Sequence, residues 1–501
     1  MVKSRHRVII VGAGTAGCVL ASRLSEDPDL DILLLESGLD FPIPEQMPEQ
    51  LRWGALIYSE GLPRDYMWNF RAMASPTGPP IWLPRGKAVG GSSAVNAQIF
   101  LRALPRDFDE WGPGWTHAEL CPAYDRIELH TRDTIEARPP AGRVVIERVA
   151  KHHWPAEQTA FMDSCVASGA RPVLDLNAEP IDGVGPIALS RRGRVRWSAA
   201  LAYLDAEVRS RPNLEVVAET SVRRVRFDGP RACGVELVDG SSVEADQVVL
   251  AAGVIGSPLI LSRSGIGPST SGAARLRELR GVGRNLSDHP QVVMRWTARQ
   301  AHDHAQGGTY CGWRTSSGQG ETSDLFVHPF TLASSRAGAT DFVHLVVALY
   351  RAQSRGWLDF TATGGLSEGG LQLNYLATSS DRARMRVAIR RCAELARSGP
   401  LARVCGPLRD PPPRLLDDDD ALDQWIAAAV TTSHHACGTC KLGPASEPDA
   451  VVDAWGRVHG LASLRVADAS IMPQCPSANT NATAYLIGER MAEFIRAELH
   501  H

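Results

Sequence analysis

The sequence has no surplus of either charge. Its 501 residues carry 53 Lys and Arg against 56 Asp and Glu, a formal net charge of −3. No basic run is interleaved with aromatics, so nothing marks a nucleic-acid surface. No apolar run is long enough to cross a bilayer. Basic residues do precede an apolar stretch at the N-terminus, the outline of a secretory signal, but that stretch is short and lacks a cleavage-like end. A cytoplasmic location is expected. The ten cysteines are scattered at irregular spacing, which reads as reduced thiols and not as a disulfide framework. There is no internal repeat and no low-complexity tail. Asp417 to Asp420 could suggest a metal cluster, but they stand directly before Ala421-Leu422-Asp423-Gln424-Trp425-Ile426 and read as the acidic start of a helix. No metal is expected. The terminal His500-His501 pair is given no function. What remains is an ordinary globular composition, 44% hydrophobic, with length for two or three domains' worth of core.

The informative stretch runs from Arg7 to Glu36. It reads as an apolar strand (Val8-Ile9-Ile10-Val11), a glycine turn (Gly12-Ala13-Gly14-Thr15-Ala16-Gly17), a helix, and a second apolar strand from Ile32 to Leu35. Such a turn lets backbone approach a pyrophosphate, and the helix behind it aims free N–H groups at the phosphates. Glu36 follows Gly12 by 24 residues, the distance at which an acid accepts hydrogen bonds from an adenosine ribose. Its charge would repel a 2′-phosphate, which argues against an NADP-type ligand. The motif alone does not separate FAD from NAD.

Residues 40–84, rich in Pro, Trp and Gly, read as a long irregular excursion. The small-residue run from Pro84 to Ala97 follows, suited to backbone lying flat on a planar ligand. Residues 213–226 and 232–252 carry short β-rich runs with Asp239-Gly240 as a hairpin signal. Val248-Val249-Leu250-Ala251 reads as a buried strand ending at Gly253. Between 292 and 375, apolar runs such as Phe342 to Leu349 and Gly370 to Leu376 read as a sheet with connecting loops. Near the C-terminus, Leu464 to Asp468 reads as a strand ending in an acid. Asn479 then sits at or just before a helix whose buried side carries Ala482, Tyr485, Leu486, Met491, Phe494 and Ile495. The segment Ser433-His434-His435-Ala436-Cys437-Gly438-Thr439-Cys440 gathers two histidines and two cysteines. A zinc or thiol–disulfide site on Cys437 and Cys440 is one reading, but the spacing lacks the second ligand pair of a zinc site.

Several phrases recur in order along the chain: Pro84 to Ala97, Leu104 to Trp111, Ser198-Ala199-Ala200, Ala251 to Pro258, Ser264 to Pro268, Gly281 to Leu286 with Asp288-His289-Pro290, and the run from His435 onward. Together they resemble the glucose–methanol–choline (GMC) oxidoreductases, FAD-dependent enzymes that mostly oxidise alcohols. The resemblance implies an α/β fold with a discontinuous Rossmann-like FAD-binding domain (residues 1–155, 190–291 and 436–501). It also implies a substrate domain (156–189 and 292–435) whose antiparallel sheet roofs the active site. FAD contacts are implied at Gly12, Gly14, Thr15, Ala16, Gly17, Glu36, Ser37, Arg85, Gly90, Gly91, Ser92, Asn96, Ala97, Val222, Ala252, Gly253, Asp468, Ala469, Asn479 and Thr480. His435 matches the family's base. Asn479 matches its second catalytic position, with a plain helix cap as the alternative role. His434 falls where relatives often carry an aromatic residue and is a candidate for the substrate pocket. If the segment is extended, the two adjacent histidines point to opposite sides.

Some members tether FAD through a histidine in the glycine-rich loop. The matching residue here is Val95, so noncovalent FAD is expected. The expected activity is oxidation of a primary or secondary alcohol to a carbonyl, with hydride passing to flavin N5. The electrons then go to O2, a quinone or a redox carrier, with a dehydrogenase favoured over an oxidase. Two branches are similar in phrasing or length, the aryl-alcohol and hydroxymethylfurfural oxidases and the mycofactocin-associated dehydrogenases. The alternatives are a hydroxynitrile lyase, a fatty-acid photodecarboxylase, an NAD-dependent dehydrogenase and a non-catalytic binding protein.

Overall fold

Val8 to Val11 form a strand because apolar residues buried on both faces need a sheet with cover on each side. In a computed structural model the first strand is Arg5–Val11 and the second Ile32–Leu35, joined by the helix Thr15–Leu24. The residues described are 5–131, 142–178, 181–268, 276–301, 304, 307–335, 341–361 and 363–499, so His500 and His501 lie outside them. Leu214–Val217, Ile32–Leu35, Arg5–Val11 and Ser242–Leu250 lie side by side in parallel, and Leu464–Val466 adds to the carboxyl half of Ser242–Leu250. Arg231–Leu237 and Val222–Asp228 extend this sheet antiparallel. The chain leaves the first strand towards one neighbour, while its other neighbour comes from far along the sequence. Ligands of open α/β sheets bind at such a switch point, beyond the carboxyl ends of the strands.

The second large sheet is antiparallel, in the order Cys405–Asp410, Pro290–Ala298, Phe342–Leu349, Leu325–Phe330, Cys311–Thr315, Gly183–Pro186. Its outer face packs into a core with the helices Ala156–Ala167, Ser379–Leu395 and Asp419–Ala429. The four acids behave as the sequence suggests: Asp418 caps Asp419–Ala429, its carboxylate accepting from the Ala421 N–H at 3.0 Å. The mixture of a Rossmann-like sheet and a separate antiparallel sheet is the expected fold class.

The excursion at 40–84 is only partly irregular. Met67–Met73 and Pro80–Gly86 form an antiparallel pair, with Phe70 opposite Leu83 and Asn69 opposite Pro84. Trp357–Phe360 and Leu366–Gln372 complete a four-stranded sheet. The prolines obscured this because they argue against a strand, yet Pro80 and Pro84 lie on its edge, where a missing N–H costs no ladder bond. Among the described residues no helix is long and apolar enough to cross a membrane.

Candidate active site

A cavity of about 930 Å3 opens beyond the carboxyl end of the first strand, near the upper end of the roughly 300–1,000 Å3 usual for ligand sites. Three helices begin on its wall. Thr15 and Ala16 start the first, Gly253 the helix Gly253–Arg263, and Thr480 the helix Thr480–Leu499. The free N–H groups and dipole of each helix favour negative charge, so the cavity suits a ligand with several anionic groups. Gly12 lies at φ +100°, and a Cβ there would come within 2.6 Å of the Ala251 carbonyl oxygen. The small-residue loop lies directly on this turn, since a Cβ on Gly91 would sit 2.7 Å from the Gly14 Cα. Side chains are therefore excluded at both glycines, and backbone alone lines this part of the cavity.

Glu36 also lines the cavity. Its oxygens accept from the N–H groups of Ala13 at 2.9 Å and Gly38 at 2.8 Å. Burial raises its pKa, against the pull of these N–H bonds. On the opposite wall Asp468 accepts from the Gly253 N–H at 2.9 Å and the Ser470 N–H at 2.7 Å, and from the Ser257 hydroxyl. Arg85 is half-buried against the same space. Its Nη1 donates to the carbonyls of Pro84 at 3.0 Å and His434 at 3.2 Å, while Nη2 has no protein partner. An orphaned buried guanidinium nitrogen, three helix N-termini and the Glu36 carboxylate fit FAD.

The roof is one face of the antiparallel sheet. Phe326, His328 and Phe330 alternate along one strand and Val346 and Ala348 along the next, with Tyr350 just beyond. Every second residue of a strand faces the same side. Below the roof, His435 and Asn479 come together, with Asn479 Nδ2 2.9 Å from His435 Nε2. The Tyr350 hydroxyl donates to Asn479 Oδ1 at 3.2 Å, and His435 Nδ1 lies 3.0 Å from Nδ1 of His289. The backbone of this segment is pinned from several sides. Asp288 accepts from the His435 N–H at 2.9 Å, and Ser287 and Cys437 exchange backbone bonds at 2.8 and 2.9 Å. Thr439 donates to the Val254 carbonyl at 2.6 Å. Burial and the neighbouring His289, His434 and Arg85 hold His435 well below its ordinary pKa. Burial alone takes His289 to about 3 and leads in taking His434 to about 4. All three are neutral at pH 7.

Of the FAD contacts implied by the sequence, all but two line this cavity. Gly17 lies behind the turn, where a Cβ would sit 1.9 Å from the Gly12 carbonyl oxygen, so it serves helix–strand packing. Gly90 holds the loop, its N–H donating to the Ala13 carbonyl at 2.7 Å. His434 and His435 both face the cavity, contrary to the expectation for an extended segment. The reason is that His434 adopts φ +68°, which breaks the alternation. The neighbour of the Cys437 thiol is Cys475, and all ten cysteines are free. Sequence reasoning missed Tyr350, His289, Gln291, and Thr220 with Ser221, whose segment meets Glu36 through the Thr220 N–H at 2.7 Å. Asp288-His289-Pro290 was visible as a phrase, but without a role.

A cavity of this construction defines a flavin-dependent oxidoreductase. Models of the GMC oxidoreductase family match residues 6–291 and 352–488, and the chain belongs to that family of FAD-dependent enzymes. It is 35% identical to the 5-(hydroxymethyl)furfural oxidase of Methylovorus sp. (strain MP688), with 97% of this chain and 98% of that protein covered. It is 31% identical to mitochondrial choline dehydrogenase of Mus musculus, covering 99% and 90%. The crystal structure of pyridoxine 4-oxidase from Mesorbium loti superposes with a TM-score of 0.86 at 31% identity, covering 99% of each chain.

Val95, in the loop position where some relatives are tethered, is buried and lines the cavity, and it offers no nucleophile. FAD is therefore expected to leave with the supernatant on acid precipitation. Flavin that stays with the denatured protein would show that another residue attaches it.

Proposed function

We propose that the protein oxidises a neutral primary or secondary alcohol to the aldehyde or ketone, with His435 as base and Asn479 holding the substrate oxygen. The observation that carries this is the pair itself: an imidazole nitrogen and an amide nitrogen 2.9 Å apart, both residues lining the cavity. An alcohol oxygen beside the pair, within hydrogen-bond reach of both nitrogens, would give its proton to His435 Nε2 and receive a hydrogen bond from Asn479 Nδ2. Bound FAD supplies the acceptor for the hydride that leaves the alcohol carbon. The roof and walls hold the carbon in place and exclude water, which is where oriented reactants gain most.

The lining supports a neutral substrate. Its only carboxylates among the described residues are Glu36 and Asp468, both bonded to the backbone around the glycine turn and Gly253. Gln291, bonded to the Ser433 hydroxyl at 2.8 Å, and the aromatic roof face the remaining space. A compact aromatic or heteroaromatic alcohol suits such walls better than a cation held by a carboxylate. Residues 1–155, 190–291 and 436–501 would form the cofactor unit, and 156–189 with 292–435 the substrate unit. The pairing of Gly183–Pro186 with Cys311–Thr315 supports that division. The acceptor is read as a quinone or other carrier ahead of O2, and the location as cytoplasmic.

The test is anaerobic mixing of holoprotein with a panel of alcohols that includes choline, followed by reoxidation with O2 or a quinone-like dye. Bleaching by neutral aromatic alcohols supports the proposal. Absence of bleaching by any alcohol favours a lyase-like or photochemical member of the family, and fast reoxidation by O2 makes the enzyme an oxidase. Glu36→Ala is expected to weaken FAD binding by about 1.5–3 kcal/mol, the scale of a charge-assisted hydrogen bond. The reduction rate of the FAD-loaded variant should stay near wild type. Normal FAD affinity with a collapsed rate would show that Glu36 acts at the chemistry.

A further inference from the structure

We propose that Tyr350 and His289 are positioning residues, one at each end of a hydrogen-bond chain that fixes which nitrogen of His435 is free to take the alcohol proton. The inference rests on the reading of His435 and Asn479 given above. Burial raises the Tyr350 pKa, so its hydroxyl keeps its proton and donates to Asn479 Oδ1. With the amide in this orientation its NH2 faces His435 Nε2. An NH2 group has protons and no free lone pair, so Nε2 must be the bare nitrogen. A neutral imidazole has one N–H, which therefore sits on Nδ1, where the partner 3.0 Å away is His289 Nδ1. That atom must accept, and the His289 proton goes to Nε2, which is buried without a hydrogen-bond partner, so the arrangement leaves one donor unsatisfied. With the opposite polarity, His435 Nε2 would carry a hydrogen and could not act as base.

The rings are held for this. His289 stacks on Tyr350, centroids 4.1 Å apart at 24°, and Tyr350 on Phe326, 5.4 Å at 15°. His435 stands edge-on to both, at 76° to His289 and 80° to Tyr350, so its in-plane nitrogens point along the chain. In the serine-protease arrangement the group behind the histidine is a carboxylate that stabilises the imidazolium. Here it is a neutral histidine, which sets the tautomer without favouring the charge. The other groups facing His435 do not supply a counter-charge to its ring. His434, His328 and Arg85 disfavour charging it. Asp288 bonds the N–H groups of His289 and His435 and the hydroxyls of Tyr375 and Thr432, and the Cys475 thiol meets the Cys437 thiol and the His435 carbonyl, the latter at 3.5 Å.

Two measurements on holoprotein test this. Imidazole 15N NMR of the wild type should show His435 protonated on Nδ1 at neutral pH. His289→Asp should move the acid limb of the flavin-reduction rate upward by about 1–3 pH units, the effect of an opposite charge at this range. His289→Leu should slow reduction, and His289→Asn, whose amide oxygen can still accept, should recover part of the loss. Tyr350→Phe should let the Nε2–H tautomer appear in the spectrum. A wild-type His435 protonated on Nε2 overturns the proposal, and so does an acid limb that stays in place in His289→Asp. If instead His435→Ala reduces flavin normally, the base assignment itself has failed, whatever His289 shows. The wild-type spectrum needs no substitution, so a variant that fails to fold leaves the test intact.

Discussion

Replacing His435 by alanine is expected to slow anaerobic flavin reduction by roughly 10²–10⁴-fold, the usual contribution of a positioned base, while FAD stays bound. The separation should be clean because the segment is held through its backbone. Asp288 bonds the His435 N–H, and Ser287, Thr439 and the 290–291 strand end hold the flanks. The pH dependence follows from the direction of the shift. His435 must be neutral to act, and its folded pKa lies well below the ordinary 6.5. The wild-type rate should therefore be flat through neutrality and fall only as pH drops through that lowered value, and in His435→Ala that limb should vanish. His434 is the control. Its ring lines the cavity, its N–H bonds the Thr432 hydroxyl at 2.7 Å, and its backbone sits at φ +68°. Asparagine tolerates that conformation and phenylalanine does not, so His434→Asn is the gentler probe and should mainly change which alcohols fit. If His434→Asn abolishes reduction while His435→Ala merely shifts preference, the two roles are reversed.

The cofactor half of this site was legible because its chemistry is local. The glycine turn, Glu36 and the helix that follows lie within Arg7 to Glu36, so one stretch of sequence carries the strand, the helix end and the acid that line the cavity together. Val248 to Gly253 and Leu464 to Asp468 were readable for a similar reason. A short run, apolar in the first case and apolar apart from Arg465 in the second, that stops at a glycine or an acid reads as a buried strand ending at the cavity. The roof was not readable in the same way. Val343 to Leu349 are all buried, one face in a core and the other in the cavity roof, so alternation that would mark Val346 and Ala348 as cavity-facing is invisible in the residue types. Tyr350 and His289 are 61 residues apart in the chain, and only the sheet stacks them. The pair Met67–Met73 and Pro80–Gly86 was hidden by prolines that are harmless on an edge. The positive φ of His434 has no signature in the sequence at all, and it is what turns two neighbouring histidines into the same cavity.

Asn479→Ala is expected to slow flavin reduction by roughly 10²-fold or more, the scale for removing one donor to a developing oxyanion. The alternative role is a helix cap, whose loss costs about 0.5–2 kcal/mol of stability and leaves chemistry alone. The hydrogen bonds of its amide favour the first. Oδ1 accepts from the Tyr350 hydroxyl and Nδ2 meets His435 Nε2, so both ends of the side chain point towards the reacting centre. Position adds to this, because Asn479 stands immediately before the helix Thr480–Leu499, whose N-terminal dipole favours negative charge on the substrate oxygen as its proton leaves. Alanine keeps that dipole and loses the directed donor. The expected result is therefore a slower reduction rate with FAD content and substrate affinity little changed, since a bond that strengthens only as charge develops acts on the rate more than on ground-state binding. Equal losses in thermal stability and none in rate would leave Asn479 as a cap. A variant that loses rate but regains it with more acidic alcohols would strengthen the oxyanion role further, because a substrate that gives up its proton readily needs less help from the amide.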